Sequence, residues 1–152
     1  MAATPTIRVQ AGDFDVAAEI AALTAGRTDI GAVVTFTGLC RSESGALAAL
    51  ELEHYPGMAE AEITAVAGEA LSRWPLQGVT CIHRYGIIPA GANIVLVVTA
   101  SPHRRAAFEA ADFLMDFMKT RAPFWKKEHL LGGGTRAWVE AKSEDDQAAA
   151  RW

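Results

Sequence analysis

Residues Ser101–Glu128 read SPHRRAAFEAADFLMDFMKTRAPFWKKE. Ser101-Pro102 predicts a helix start, with serine as N-cap and proline at the first helical position. Pro123 cannot continue a helix and restricts the residue before it, so the helix must stop near Ala122. Between these limits Phe108, Ala111, Met115 and Met118 recur at helical spacing, while Glu109, Asp112 and Asp116 mark an opposite, solvated face. Phe113, Leu114 and Phe117 make the apolar surface wider than one core face needs, so part of it is expected to meet another chain. A long amphipathic helix that follows an apolar run, Ile94–Ala100, belongs on a sheet, and the rest of the chain supplies the strands.

Working outward, Val79–Tyr85 and Ile94–Ala100 read as strands separated by a turn containing Gly86, Pro89 and Gly91. Pro56-Gly57 and Trp74-Pro75 bracket a helix from about Met58 to Arg73. Leu47–Tyr55 (LAALELEHY) alternates enough for a strand, and Arg41–Ala46 is a polar loop. Gly31–Leu39 (GAVVTFTGL) is β-branched, apolar and bounded by glycine, which predicts a buried strand. Nearer the start, Thr6–Gln10 reads as a short strand, and Asp13 or Asp15 caps a helix running to about Ala25. After the Gly132-Gly133-Gly134 loop, Thr135–Ala141 reads as a last strand. The order β-α-β-β-α-β-β-α-β predicts an α+β fold with a mixed or mostly antiparallel sheet. With no repeat or Pro/Ser-rich linker, residues 1–152 are expected to form one domain.

The chain is 51% hydrophobic and 21% charged, which sets it apart from disordered sequences. No apolar run is long enough to span a bilayer and Met1–Gln10 lacks a secretory pattern, so the expected location is the cytoplasm. Cys40 and Cys81 lie far apart in apolar runs without a CxxC or Cys/His cluster, which predicts reduced, buried thiols and neither a disulfide nor a zinc site. His54, His83 and His129 show no metal-ligand spacing, so no metal is expected and His83 is read as a satisfied strand residue. The triple glycine lacks a following Lys-Ser/Thr and is no nucleotide cradle. A formal charge of -4 argues against nucleic acid or an acidic membrane as partner. The cations are nonetheless grouped, as His103, Arg104 and Arg105, and as Lys119, Arg121, Lys126 and Lys127. Such local positive sites on an acidic protein suit a small anion.

Lys119, four residues after Met115, lies at the edge between apolar stripe and acidic face. It reads either as an ordinary helix-end lysine paired with Asp112 or Asp116, or as a partly buried amine whose charged form is disfavoured, fit for proton transfer. His103 and Arg104 occupy the first helical turn, where free N–H groups already favour an anion, and read as exposed cations or as phosphate or carboxylate ligands. From His103 to Lys119 a straight helix runs about 24 Å, so one small substrate reaches both only if two subunits pair about a two-fold axis. If Pro123–Glu128 is extended, Phe124, Lys126 and Glu128 share one side and Trp125 and Lys127 the other, giving either a surface segment pinned by aromatics or a second basic wall. Arg41 ends a strand where a guanidinium can reach phosphate, Cys40 beside it reads as packing, and Arg136 is a further candidate anion contact.

GAVVTFTGLCR at Gly31–Arg41, LEHYPGM at Leu52–Met58, SPHRRAAFEA at Ser101–Ala110 and MKTRAPFWKKE at Met118–Glu128 together resemble the large subunit family of molybdopterin synthase. The likeness runs from about Gly31 to Lys142 and includes the Arg151-Trp152 ending. It implies an α/β hammerhead-type fold with an additional antiparallel β subdomain, and a homodimer within a heterotetramer flanked by ubiquitin-like small subunits. It further implies that the small subunit's C-terminal Gly-Gly thiocarboxylate delivers sulfur to cyclic pyranopterin monophosphate, forming the dithiolene of molybdopterin without a cofactor or metal. By matching motif, the resemblance makes Lys119 and Lys126 catalytic, places Arg41, His103 and Arg104 in anion-binding positions, and sets Lys127 and Glu128 at the border of the site. Leu39 and Cys40 stand where the family often has a basic and an aliphatic residue, so both are included among substrate-binding candidates, with Arg136, whose register after the glycine loop is open. Two other readings stand beside this one: a non-catalytic adaptor docking a ubiquitin-like tail, and an enzyme using Cys40 as its own sulfur carrier.

Overall fold

A computed structural model describes residues 3–139 and 143–152. Its strands are β1 (Thr6–Gln10), β2 (Ala32–Leu39), β3 (Leu47–His54), β4 (Gly78–Arg84), β5 (Gly86–Pro89), β6 (Asn93–Ser101), β7 (Phe124–Leu130) and β8 (Thr135–Val139). The helices are α1 (Val16–Thr24), α2 (Met58–Arg73), α3 (Arg104–Thr120) and α4 (Ser143–Ala150). They build two four-stranded sheets. The first has the order β1-β4-β6-β2, with β1 parallel to β4 and the other pairs antiparallel. The second, β5-β3-β7-β8, is antiparallel throughout and forms the additional subdomain.

Along β6, alternate residues serve opposite faces of the first sheet. Val95 and Val97, with Val79 and Cys81 of β4, pack under Ile63 and Val66 of α2 and Phe113 and Leu114 of α3. Leu96 and Val98, with Ile82, meet Phe14, Val16, Ile20 and Leu23 around α1. Burial on both faces explains the unbroken apolar run Ile94–Val98 within β6. The second sheet has a smaller core of Cys40, Leu47, Leu52 and Ile88. Both cysteines are buried free thiols. Asp15, rather than Asp13, caps α1 by accepting from the Ala18 N–H at 3.1 Å. Among the described residues no helix is long and apolar enough to cross a membrane.

Several expectations change. Gly31–Leu39 is not buried. As β2 it is the end strand of its sheet, with Phe36 41% and Leu39 55% exposed, because β-branched apolar sequence marks a strand without fixing its place in the sheet. The turn at Gly86–Pro89 is strand β5. Gly86, at φ 91°, swings the chain out of the first sheet to pair with β3 in the second. Pro123–Glu128 lies largely in a full strand, β7, and α4 was absent from the expected order because SEDDQAAA has no apolar stripe. Of the expected strand Thr135–Ala141, residues 140 and 141 lie outside the described residues.

Ser101 does not cap α3. It is paired with Ala32 as the last residue of β6, and its hydroxyl donates to the Pro75 carbonyl at 3.1 Å. His103 takes the N-cap position instead, without a side-chain cap bond. The residues that widen the apolar face of α3 are largely covered within the chain. Phe113 is sealed edge-on by Trp74 and Trp152, with ring centroids 5.3 and 5.7 Å away. Arg151 holds Asp112 at 2.7 Å and Asp116 at 2.9 Å. Of the named apolar residues on this helix, Phe108 is the one that is largely exposed, at 60%.

Candidate active site at the seam of the two sheets

On β4 the alternation that sends Val79 and Cys81 under α2 and α3 also turns His83 to that face, in register with Val95. His83 lies just beyond the core, where the end of α3 and the start of β7 come together. The chain reverses there over Pro123, and the Phe124 N–H donates to the Ala122 carbonyl at 2.9 Å. Phe124 then lands flat on His83, at 3.8 Å between centroids and an interplanar angle of 14°. His54 of β3 lies 5.8 Å from Phe124 and 4.5 Å from Tyr85, extending the aromatic wall.

Lys119 and Lys126 both act electrostatically on His83 in this wall. Lys119 is in the last turn of α3, and Lys126, on β7, is in register with the buried Leu52. Burial holds the His83 imidazole down to about pKa 4, and the positive charges of Lys119 and Lys126, with His54, add to the effect. Both ammonium groups therefore bear on one ring, although six residues and a proline separate them. The Lys126 charge also reaches Cys40, whose thiol is nevertheless raised above its ordinary value by burial. Arg41 follows Cys40 directly and is exposed, as is Leu39.

Of the two readings of Lys119, the structure has the exposed helix-end lysine and not the partly buried amine, since Met118 takes the core-facing position and Met115 is only half-buried. The acids proposed as its partners are engaged at the C-terminus, Asp112 by Arg151 and Asp116 by Arg151 and Trp152. Two of the grouped cations point elsewhere. Arg121 reaches Glu69 at 3.0 Å and Glu62 at 3.5 Å, and Lys127 is in register with Glu51 on the opposite face of the sheet from Lys126. Glu128 shares the Lys126 side and is in register with Leu50. The Arg136 backbone pairs with Glu128, and its side chain lies outside the described residues.

His103 and Arg104 are at the far end of α3. With Gly31, Pro102, Arg105, Phe108 and Glu109 they line an open cavity of about 570 Å³. One chain thus holds two cationic sites roughly 24 Å apart along the helix. Among the described residues no three His, Cys, Asp or Glu side chains gather as a metal site. His83 is the satisfied strand residue that the sequence suggested, its Nδ1 2.8 Å from the Arg84 carbonyl oxygen, but its stacking on Phe124 was not foreseen. The one signal for His83 was its place ending the alternating row Val79, Cys81, His83.

The neutral His83 has a consequence for stability. Its folded pKa lies below the unfolded value of about 6.5, so the unfolded chain takes up the proton first as pH falls. Stability is expected to be complete above about pH 6.5 and to drop by about 3 kcal/mol between there and pH 4 through this residue. Urea unfolding at pH 7.5 and 4.5 checks this: His83→Phe should flatten that part of the slope, and an unchanged slope refutes the assignment.

The family model described as MoaE protein matches residues 9–121. The chain belongs to the MoaE family. It is 71% identical over 148 residues to a molybdopterin synthase catalytic subunit of Mesorhizobium japonicum, covering 97% of this chain and 93% of that one. With the Rhizobium meliloti protein of the same name it shares 65% over 152 residues, covering 100% and 98%. Among solved structures, a molybdopterin biosynthesis MoaE protein from Burkholderia ambifaria superimposes with a TM-score of 0.83 at 48% identity, covering 97% of each chain. A Helicobacter pylori complex of subunits 1 and 2 of molybdopterin-converting factor shares the MoaE fold, with a TM-score of 0.72 at 20% identity over 90% of each chain.

Proposed function

We propose that this chain is the catalytic subunit of a cytoplasmic molybdopterin synthase. It moves sulfur from the thiocarboxylated C-terminus of a ubiquitin-like small subunit to cyclic pyranopterin monophosphate, forming the dithiolene. The convergence of Lys119 and Lys126 on His83 carries the reading, because a thiocarboxylate tail and a phosphorylated heterocycle are both anions that two primary amines can hold together. Relatives named as this catalytic subunit, up to 71% identical, support it.

In each transfer the tail's sulfur bonds to a pterin carbon as a carbon–oxygen bond of that carbon breaks, the oxygen leaving as water or staying on the phosphate. A water molecule then hydrolyses the acyl–sulfur bond, leaving the sulfur on the pterin and the terminal glycine as a carboxylate. Lys126, half-buried on a strand, is fixed enough to hold the thiocarboxylate and its developing oxyanion. Lys119, exposed at a helix end, has the reach to move a proton and stabilise charge at the attacked carbon. Its exposure means that the dry environment is completed by the incoming tail. Arg41 lies beside the seam as an anion contact. His103 and Arg104 are too far along α3 to serve the same substrate molecule, so they act on the site of a second copy, in a homodimer at the centre of a heterotetramer.

The test is conversion of the purified pterin precursor by this chain and a thiocarboxylated small subunit. Dithiolene product is expected, and tail binding without product would make the chain an adaptor. Cys40→Ala is expected to keep turnover within about twofold, because a buried thiol with a raised pKa is a poor nucleophile. A dead Cys40→Ala protein that remains folded would revive Cys40 as sulfur carrier.

A further inference from the structure

The cavity at the start of α3 is chemically divided. His103 and Arg104 stand exposed at one end and Glu109 forms the other, six residues beyond His103 and about 9 Å along the helix. Phe108 lies between them, one turn past Arg104 on the same face, and lines the opening with a ring that is 60% exposed. The Glu109 carboxylate is fixed in place. The Trp74 indole N–H donates to its Oε2 at 3.0 Å, whereas Arg105 stands 3.7 Å from Oε1, beyond hydrogen-bond reach. The wall opposite the helix is equally set: the Gly31 N–H donates to the Ser101 carbonyl at 3.1 Å, and a Cβ on Gly31 would collide with the Pro102 carbonyl oxygen. The volume of about 570 Å³ falls within the range of small-ligand sites, roughly 300–1,000 Å³.

Cations at one end, a flat apolar ring in the middle and a held carboxylate at the other end match one kind of ligand. A pterin is a planar heterocycle whose 2-amino group and ring N3–H make a donor edge that a carboxylate accepts. We infer that Phe108 and Glu109 read the heterocycle of the precursor: its ring stacks on Phe108, its amino edge donates to Oε1 of Glu109, and its phosphate end lies on His103 and Arg104. This rests on the function proposed above, in which His103 and Arg104 serve the seam of a second copy. Those two cations hold charge alone, and any phosphate ester would satisfy them. The ring and the carboxylate add recognition of the pterin. The carboxylate also sets direction, because it repels the phosphate and attracts the donor edge.

The experiment uses the chain assembled with its thiocarboxylated small subunit and two competitors of the precursor, a phosphate-free pterin and inorganic phosphate. Phe108→Ala and Glu109→Gln are each expected to raise the KM for precursor at least about tenfold with kcat nearly unchanged, and Phe108→Tyr to keep the wild-type KM. Both losses should appear in inhibition by the phosphate-free pterin, while inhibition by phosphate stays within about twofold; Arg104→Ala should show the reverse. Glutamine keeps an acceptor for the Trp74 N–H but puts an amide donor where Oε1 stood, and Phe108 is exposed, so both variants are expected to fold. A wild-type KM in Phe108→Ala or Glu109→Gln, equal weakening of the two competitors, or a Phe108→Tyr protein as poor as Phe108→Ala would each overturn the inference. Sedimentation tests the other occupant: if Phe108→Ala dissociates the assembly, the ring is a subunit contact and the inference falls. Should the wild type make no dithiolene, equilibrium dialysis of the phosphate-free pterin against the same assembly decides. Retention that is lost in both variants upholds the pterin site while the proposed reaction fails, and no retention sinks the two together.

Discussion

Lys119→Ala is expected to reduce kcat for dithiolene formation by at least about a hundredfold while leaving the fold and the affinity for the small subunit nearly intact. The side chain is exposed and its removal opens no cavity, so stability should stay within about 0.5 kcal/mol of wild type. Lys126→Ala should lose turnover to a similar degree, with a somewhat larger stability cost, because its stem lies beside the buried Leu52. Arginine substitutions separate the two roles. Arginine keeps the charge but does not release a proton near neutral pH, so Lys126→Arg should retain part of the anion grip whereas Lys119→Arg should stay inactive. Single-turnover rates with the thiocarboxylated partner measure this directly. Wild-type rates in Lys119→Ala, with the protein folded, would remove the basis of the proposed mechanism.

How much of this was legible beforehand depends on how local each feature is. The bounds of α2 and the stop of α3 follow from Pro56-Gly57, Trp74-Pro75 and Pro123, which act within a few residues of themselves. The start of α3 was misjudged because Ser101 looked like a cap, and nothing local announces that its backbone is already paired with Ala32, almost seventy residues earlier. The same limit hid β5. Gly86 and Pro89 are turn residues by composition, and only the partner strand β3 makes a ladder of them. Of the candidate site, the positions of Lys119 and Lys126 were marked by family-like motifs rather than by physics. That both act on His83 depends on the pairing of Lys126 with Leu52 and on the emergence of His83 at the end of β4, both of them long-range outcomes of sheet register. Lys127 shows the reverse case: strand alternation alone separated it from Lys126, and the structure keeps it there.

Phe113→Ala is expected to destabilise the protein by about 3–5 kcal/mol, a large share of a typical domain's stability. The ring is fully buried at the junction of α2, α3 and the C-terminus, enclosed by Trp74, Phe117 and Trp152, with the Arg73 guanidinium 4.8 Å above it. Collapse of its neighbours into the space is restricted, since Trp74 is tied to Glu109 through its indole N–H at 3.0 Å and the Trp152 indole N–H is bonded to Asp116. The same residues fasten α4 onto α3, so a loosened Trp152 should also weaken the Arg151 pairs with Asp112 and Asp116. Because α3 carries His103 and Arg104 at one end and Lys119 at the other, its seating on the sheet sets the placement of both cationic sites. Phe108→Ala is the matched control: on the same helix but 60% exposed, it should cost less than about 0.5 kcal/mol. Urea titrations of the two variants, followed by tryptophan fluorescence, give both numbers. A Phe113→Ala loss below about 1 kcal/mol would mean that the aromatic cluster closes over the gap and that the C-terminus does not depend on this ring.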